Sequence, residues 1–152
     1  MHKIQVPYID QSVKYPTGCE SVSAVMLLRF LGYEMTVDDF IRNCLECRNM
    51  EMRDGVLYGP DPNECFCGSP YDEDSFGIYA KGLKKALERA AGESYWFLDE
   101  TGTSMQEIIH KYISLDKKFK DRNYFILRFF IFSLIGGLIS SCIWVTAFLH
   151  LG

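Results

Sequence analysis

Tyr15-Pro16-Thr17-Gly18-Cys19-Glu20-Ser21-Val22-Ser23 sets one cysteine at the first turn of a predicted helix. Thr17 has the chemistry of an N-cap, and Glu20, three residues on, completes a capping box. Pro16 and Gly18 shape a tight lead-in. Val22, Ala24, Val25, Leu27, Leu28 and Leu31 then fill one helix face. Cys19 is thereby predicted to sit among unpaired backbone N–H groups at the positive end of the helix dipole. That setting favours thiolate over thiol, and the thiolate is the nucleophile. Gln11, eight residues earlier, carries a side-chain amide able to donate to an oxyanion near that sulfur. The same pattern also accommodates a semi-buried structural cysteine with no chemistry.

Outward from this stretch, the chain of 152 residues is long enough for one domain with a modest core. A formal net charge of −4 gives no broad basic face for nucleic acid. Abundant aromatics suit a packed α/β core rather than a disordered chain. Met1-His2-Lys3 leads straight into a strand-like run, which does not resemble an export signal, so the six cysteines are expected to be thiols.

Lys3 to Ile9 alternates Ile4, Val6 and Tyr8 and predicts a short strand. The Cys19 helix is expected to stop near Gly32. Thr36-Val37-Asp38-Asp39 opens a second helix with Val37, Phe40, Ile41, Cys44 and Leu45 inward. Arg48 to Asp74 reads as a long polar loop. Its acids Asp54, Asp61, Glu64, Asp72, Glu73 and Asp74 suit either a basic substrate or plain solvation. A helix over about Gly77 to Ala91 follows, then a short strand at Ser94 to Leu98. Ser104 and Glu107 form a further capping box ahead of another helix. The order predicts an α+β fold.

Two sets of motifs carry a resemblance. Val6-Pro7-Tyr8-Ile9-Asp10-Gln11 with Tyr15 to Ser23 resembles the opening of a papain-like cysteine peptidase. The branch is the one similar to bacteriocin-processing (double-glycine leader) peptidases. Gly55 to Gly59, Asp61-Pro62, Gly68-Ser69-Pro70 and Phe76-Gly77-Ile78-Tyr79-Ala80 resemble that branch's next block. The resemblance covers about residues 3–117 and implies a peptidase-like domain there. It implies that the cysteine attacks a peptide carbonyl, that an upstream glutamine helps form the oxyanion hole and that a downstream histidine is the base. By position, Cys19 matches the nucleophile and Gln11 the oxyanion glutamine. The implied partner is a peptide or protein substrate, and no cofactor is called for.

The pattern then breaks. Residues 118–128 read as a basic linker, and Phe129 to Leu149 runs without a charge, about the length that crosses a bilayer. A transmembrane helix over 129–149 is predicted, with Arg128 at its edge. Gly136-Gly137 and Ser140-Ser141 suit a face toward a partner helix or chain. Lys117, Lys118, Lys120 and Arg122 would hold the preceding domain on the cytoplasmic side of a single-pass anchor. A buried soluble helix or an undesigned apolar tail are the alternatives.

Of three histidines, His2 precedes the first strand, His110 has polar neighbours on its helix, and His150 ends the apolar run. None matches the family's His-bearing strand. His150 would need the apolar run to fold back as sheet, against its length and glycine pair. The expectation is an incomplete papain-like fold whose base is missing. Losing general-base help costs roughly two to four orders of magnitude in rate. Activity is therefore left open, and a non-catalytic, membrane-anchored peptide-binding module is the alternative. Finally, Cys44, Cys47, Cys65 and Cys67 form a C-x2-C and a C-x-C pair that four-coordinate zinc would accept, but C-x-C is an unusual zinc spacing and ordinary reduced thiols are the expectation.

Overall fold

Val22 to Leu28 recur as the sequence predicts and form α1 (Cys19–Phe30), with Val22, Ala24, Val25, Leu27 and Leu28 buried. Each leucine so buried is worth about 1.5–3 kcal/mol relative to exposure. The helix ends where Gly32 takes φ +92°, a backbone state that suits glycine. Gly32 N–H donates to Arg29 O and Tyr33 N–H to Leu28 O, both at 3.0 Å, which is a Schellman closure. α2 (Val37–Asn43) starts from the predicted cap, with the Thr36 hydroxyl accepting from Asp39 N–H at 3.1 Å. It buries Val37, Phe40 and Ile41.

The computed structural model describes residues 5–104, 106, 107, 110, 124–132 and 142–150. The chain falls into two units, Met1–Ala91 and Gly92–Gly152. In the first, α1 and α2 pack on each other and on α3 (Ala80–Ala91), which buries Leu83, Ala86 and Leu87. The helix expected from Gly77 begins at Ala80, because Gly77, at φ +107°, and Ile78 belong to the preceding loop. The strand expected over Lys3 to Ile9 is not formed in its described part, 5–9. Pro7 removes one ladder donor there.

The segment read as one polar loop is more ordered than expected. β1 (Cys47–Arg48) pairs in parallel with β4 (Phe66–Cys67). β2 (Glu51–Arg53) and β3 (Val56–Tyr58) make an antiparallel hairpin turning at Asp54-Gly55, both at positive φ. Alternation gave no warning of these pairs, since they are only two or three residues long.

In the second unit, β5 (Tyr95–Asp99) forms close to the predicted place. Ser104 N–H donates to Glu107 Oε2 at 2.9 Å and Glu107 N–H to Ser104 Oγ at 3.3 Å, the predicted capping box. The transmembrane helix expected over 129–149 is corrected in its described parts, 129–132 and 142–149, which are strand. β6 (Tyr124–Phe132) and β7 (Cys142–His150) are strands, and the sheet order is β5-β7-β6, antiparallel throughout. Trp96 stands opposite Phe148, Tyr124 opposite His150 and Phe132 opposite Cys142. The reason is compositional: Phe, Ile, Val, Trp and Thr favour strands, and an apolar run cannot be assigned to helix or strand by periodicity alone. The sheet also corrects the expectation that the run would not fold back. His150 now stands on a sheet strand. The start of the basic linker, 118–123, and residues 133–141 lie outside the described residues. Among the described residues no helix is long and apolar enough to cross a membrane.

Candidate active site

Cys19 is the first residue of α1, half-buried, with Gly18 as N-cap. The capping box predicted for Thr17 and Glu20 is not formed. Gly18 makes no side-chain cap, and the Thr17 hydroxyl instead donates to Ser69 O at 3.2 Å and Asp72 O at 2.7 Å. Thr17 stands one residue too early to cap, so its hydroxyl ties down the loop that crosses in front of the helix.

Glu20 is turned inward and is 1 % exposed. The Cys19 thiol donates to Glu20 Oε2 at 3.0 Å. The backbone at Glu20 and Ile78 also acts to favour the charged form of this carboxyl. Burial pushes the Glu20 carboxyl above its ordinary range, and the Cys19 hydrogen bond with the nearby backbone of Glu20 and Ile78 only partly offsets it. Gly77 makes the arrangement possible. A Cβ at Gly77 would stand 2.8 Å from Glu20 Oε1. Cys67 N–H donates to Gly77 O at 2.9 Å and fixes the glycine against β4.

Gln11 lies two turns ahead of the sulfur. Its backbone carbonyl accepts from Tyr15 N–H at 2.9 Å, and Tyr15 O accepts from Gly18 N–H at 3.0 Å. Tyr15 is buried, and a Cβ at Gly18 would meet its Cβ at 2.8 Å and that of Pro70 at 3.1 Å. Close packing at Gly18 therefore holds the lead-in against the Gly68-Ser69-Pro70 loop. Lys14 and Tyr71 both donate to Asp38, at 2.5 and 2.7 Å. The Lys14 ammonium first, then the Tyr71 hydroxyl, hold the Asp38 carboxyl down at about 2. These contacts tie the Gln11–Cys19 segment to α2.

The two sequence blocks, far apart in the chain, thus meet at the start of α1. Sequence reasoning named Cys19, Gln11 and Gly77 but missed the place of Glu20. The signal was present: Glu20, Ala24, Leu27 and Leu28 share one helical phase, so a carboxylate opens the buried face. Phe76 and Tyr79, exposed and 5.8 Å apart edge to face, flank Gly77-Ile78 in the chain. His110 is exposed. His2 lies outside the described residues, and His150 is placed by its strand register alone.

Of the four cysteines that zinc would need, Cys47 and Cys67 lie on the paired strands β1 and β4, Cys65 directly precedes β4, and Cys44 is the C-cap of α2. Cys44, Cys65 and Cys67 are buried, Cys47 is exposed, and all four are free thiols. Cys67 donates to Pro60 O at 3.2 Å. Among the described residues no three His, Cys, Asp or Glu side chains are grouped to hold a metal.

The model of the Peptidase_C39 like family matches residues 3–118. Among solved structures, the chain is similar to a Bacillus anthracis protein described as a C39-like peptidase. The TM-score is 0.56 at 21% identity, covering 94% of this chain and 74% of that one. The likeness in fold is therefore wider than the part of the sequence that carries the motifs. No curated protein matches the chain.

Proposed function

Because the chain belongs to the Peptidase_C39 like family, we propose that it is a cysteine-peptidase-like hydrolase domain in which Cys19 attacks a peptide carbonyl and the Gln11 amide helps hold the oxyanion. The observation that carries the reading is the seat of Cys19 as first residue of α1, with Gly18 as N-cap and the Gln11 turn directly before it. The first amides of a helix point at this place and favour developing negative charge on sulfur. A thiolate here adds to the carbonyl carbon, and the electron pair moves to the carbonyl oxygen. A side-chain amide can then donate to that oxygen. The substrate is a peptide or protein.

One observation favours a second reading, a peptide-binding module without turnover. The matched residues 3–118 contain a single histidine, His110, and it is exposed.

Alkylation of the full chain with iodoacetamide at neutral pH, read site by site by mass spectrometry, tests the nucleophile. Cys19 is expected to label well ahead of the other five cysteines. Equal labelling of all six overturns the reading. A peptide library then separates the two functions. Cleavage that is lost in Cys19→Ala supports the hydrolase, whereas fast labelling without cleavage assigns the binding module.

A further inference from the structure

We propose that Glu20 is the proton acceptor for the Cys19 thiol, so that the reactive unit is a Cys–Glu pair of adjacent residues. This rests on the reading of Cys19 as nucleophile. The geometry carries it. The thiol donates to Glu20 Oε2 at 3.0 Å, within reach of direct transfer. The carboxylate is 1 % exposed, and its Oε1 lies against Gly77. Gly77, at φ +107°, leaves the room that Oε1 occupies.

The environment also suits the exchange. A carboxylate sealed from water is costly, and burial raises its affinity for a proton. Among the described residues, Cys19 and the backbone at Glu20 and Ile78 act on the carboxyl, and no charged side chain is among them. Transfer moves the negative charge from the sealed carboxylate to a half-buried sulfur at a helix start, where anions are favoured. The Sγ–H bond breaks, an Oε2–H bond forms, and sulfur keeps the electron pair. In peptide cleavage that pair forms the S–C bond. When the tetrahedral adduct collapses, the C–N bond breaks and the departing nitrogen takes the proton back from Oε2. The acyl group is left on Cys19 as a thioester for water to hydrolyse. An exposed His110 is then no obstacle to activation of the sulfur.

The pH profile of Cys19 alkylation tests this in the full chain. One proton shared by two groups makes the ionised fraction of sulfur independent of solution pH between the two titrations of the pair. The wild-type rate constant with iodoacetamide is expected to show a flat stretch on the acid side of an ordinary thiol's ionisation. In Glu20→Gln the flat stretch should vanish. An ordinary thiol titrating near 8.5 is about one part in a hundred ionised at pH 6.5, so the rate there should fall by about 10–100-fold. Glu20→Gln reacting as fast as wild type, or faster, overturns the proposal, because a spectator carboxylate would only repel the thiolate. Should Glu20→Gln lose its helical far-ultraviolet signal, the wild-type profile decides alone. A single rise without a flat stretch then overturns it. In both cases preferential labelling of Cys19 would leave the nucleophile standing, while equal labelling of all six cysteines would remove both readings.

Discussion

A carboxylate that belongs to a helix N-terminus by sequence, yet lies against backbone from a loop 57 positions later, depends on one missing side chain. Gly77 supplies it twice over. Its φ of +107° suits glycine, and any Cβ would stand 2.8 Å from Glu20 Oε1. Gly77→Ala therefore combines backbone strain with displacement of a buried charged group. The expected loss is about 1–3 kcal/mol from the backbone alone, read by urea titration. The displaced carboxylate should also change the Cys19 alkylation rate. By contrast, Gly32→Ala carries the φ penalty but meets nothing within 4 Å, and should leave Cys19 reactivity unchanged. A Gly77→Ala protein as stable as wild type would mean that Glu20 and Gly77 do not meet as described. At this scale the sequence showed the nucleophile candidate and the glycine but not their connection. A capping box and an inward-turned glutamate have the same three-residue spacing, and Gly18, one residue before Cys19, is what decides between them.

Among the elements, the helices were the most legible. α1 and α2 have caps or closures written in single residues, Gly32 and Thr36, and a period that matches their buried faces. The C-terminal run was the least legible. It is apolar without a period, so helix and strand both fit, and length decided wrongly. The deciding fact is non-local: β5 needs a ladder partner, and its one partner among the described residues is β7. That gives a direct test by amide hydrogen exchange. In the full chain, amides of Trp96 to Asp99 that point at β7 are expected to exchange slowly. In a chain ending at Lys117 they should exchange at least tenfold faster, since the partner strand is gone. Equal protection in both chains would show that β5 does not depend on residues 142–150. A far-ultraviolet spectrum gaining helix when 118–152 is present would restore the helical assignment of that run.

For the whole molecule, the division into Met1–Ala91 and Gly92–Gly152 separates the candidate site from the β5-β7-β6 sheet. Cys19, Glu20, Gly77 and the Gln11 turn all belong to the first unit. So do the fully buried Val25, Leu27, Leu28, Phe40, Phe66, Leu83 and Leu87. The unit also closes its own last helix, since Tyr33 O–H donates to Ala91 O at 3.0 Å and Arg89 to Cys44 O at 3.0 Å. Its three helices contact one another pairwise. The composition and net charge of the sequence bounded the domain class, but not this division, because no Pro- or Ser-rich linker marks Ala91-Gly92. A core so contained should survive alone, although a chain of about 90 residues has a limited margin. Residues 1–91 expressed by themselves are expected to melt in one cooperative transition and to keep Cys19 as the fastest-labelling thiol. A fragment without a cooperative transition would show that the core around α1 needs the second unit. A folded fragment in which Cys19 labels no faster than Cys47 would show that the thiol's reactivity, rather than the fold, depends on residues beyond Ala91.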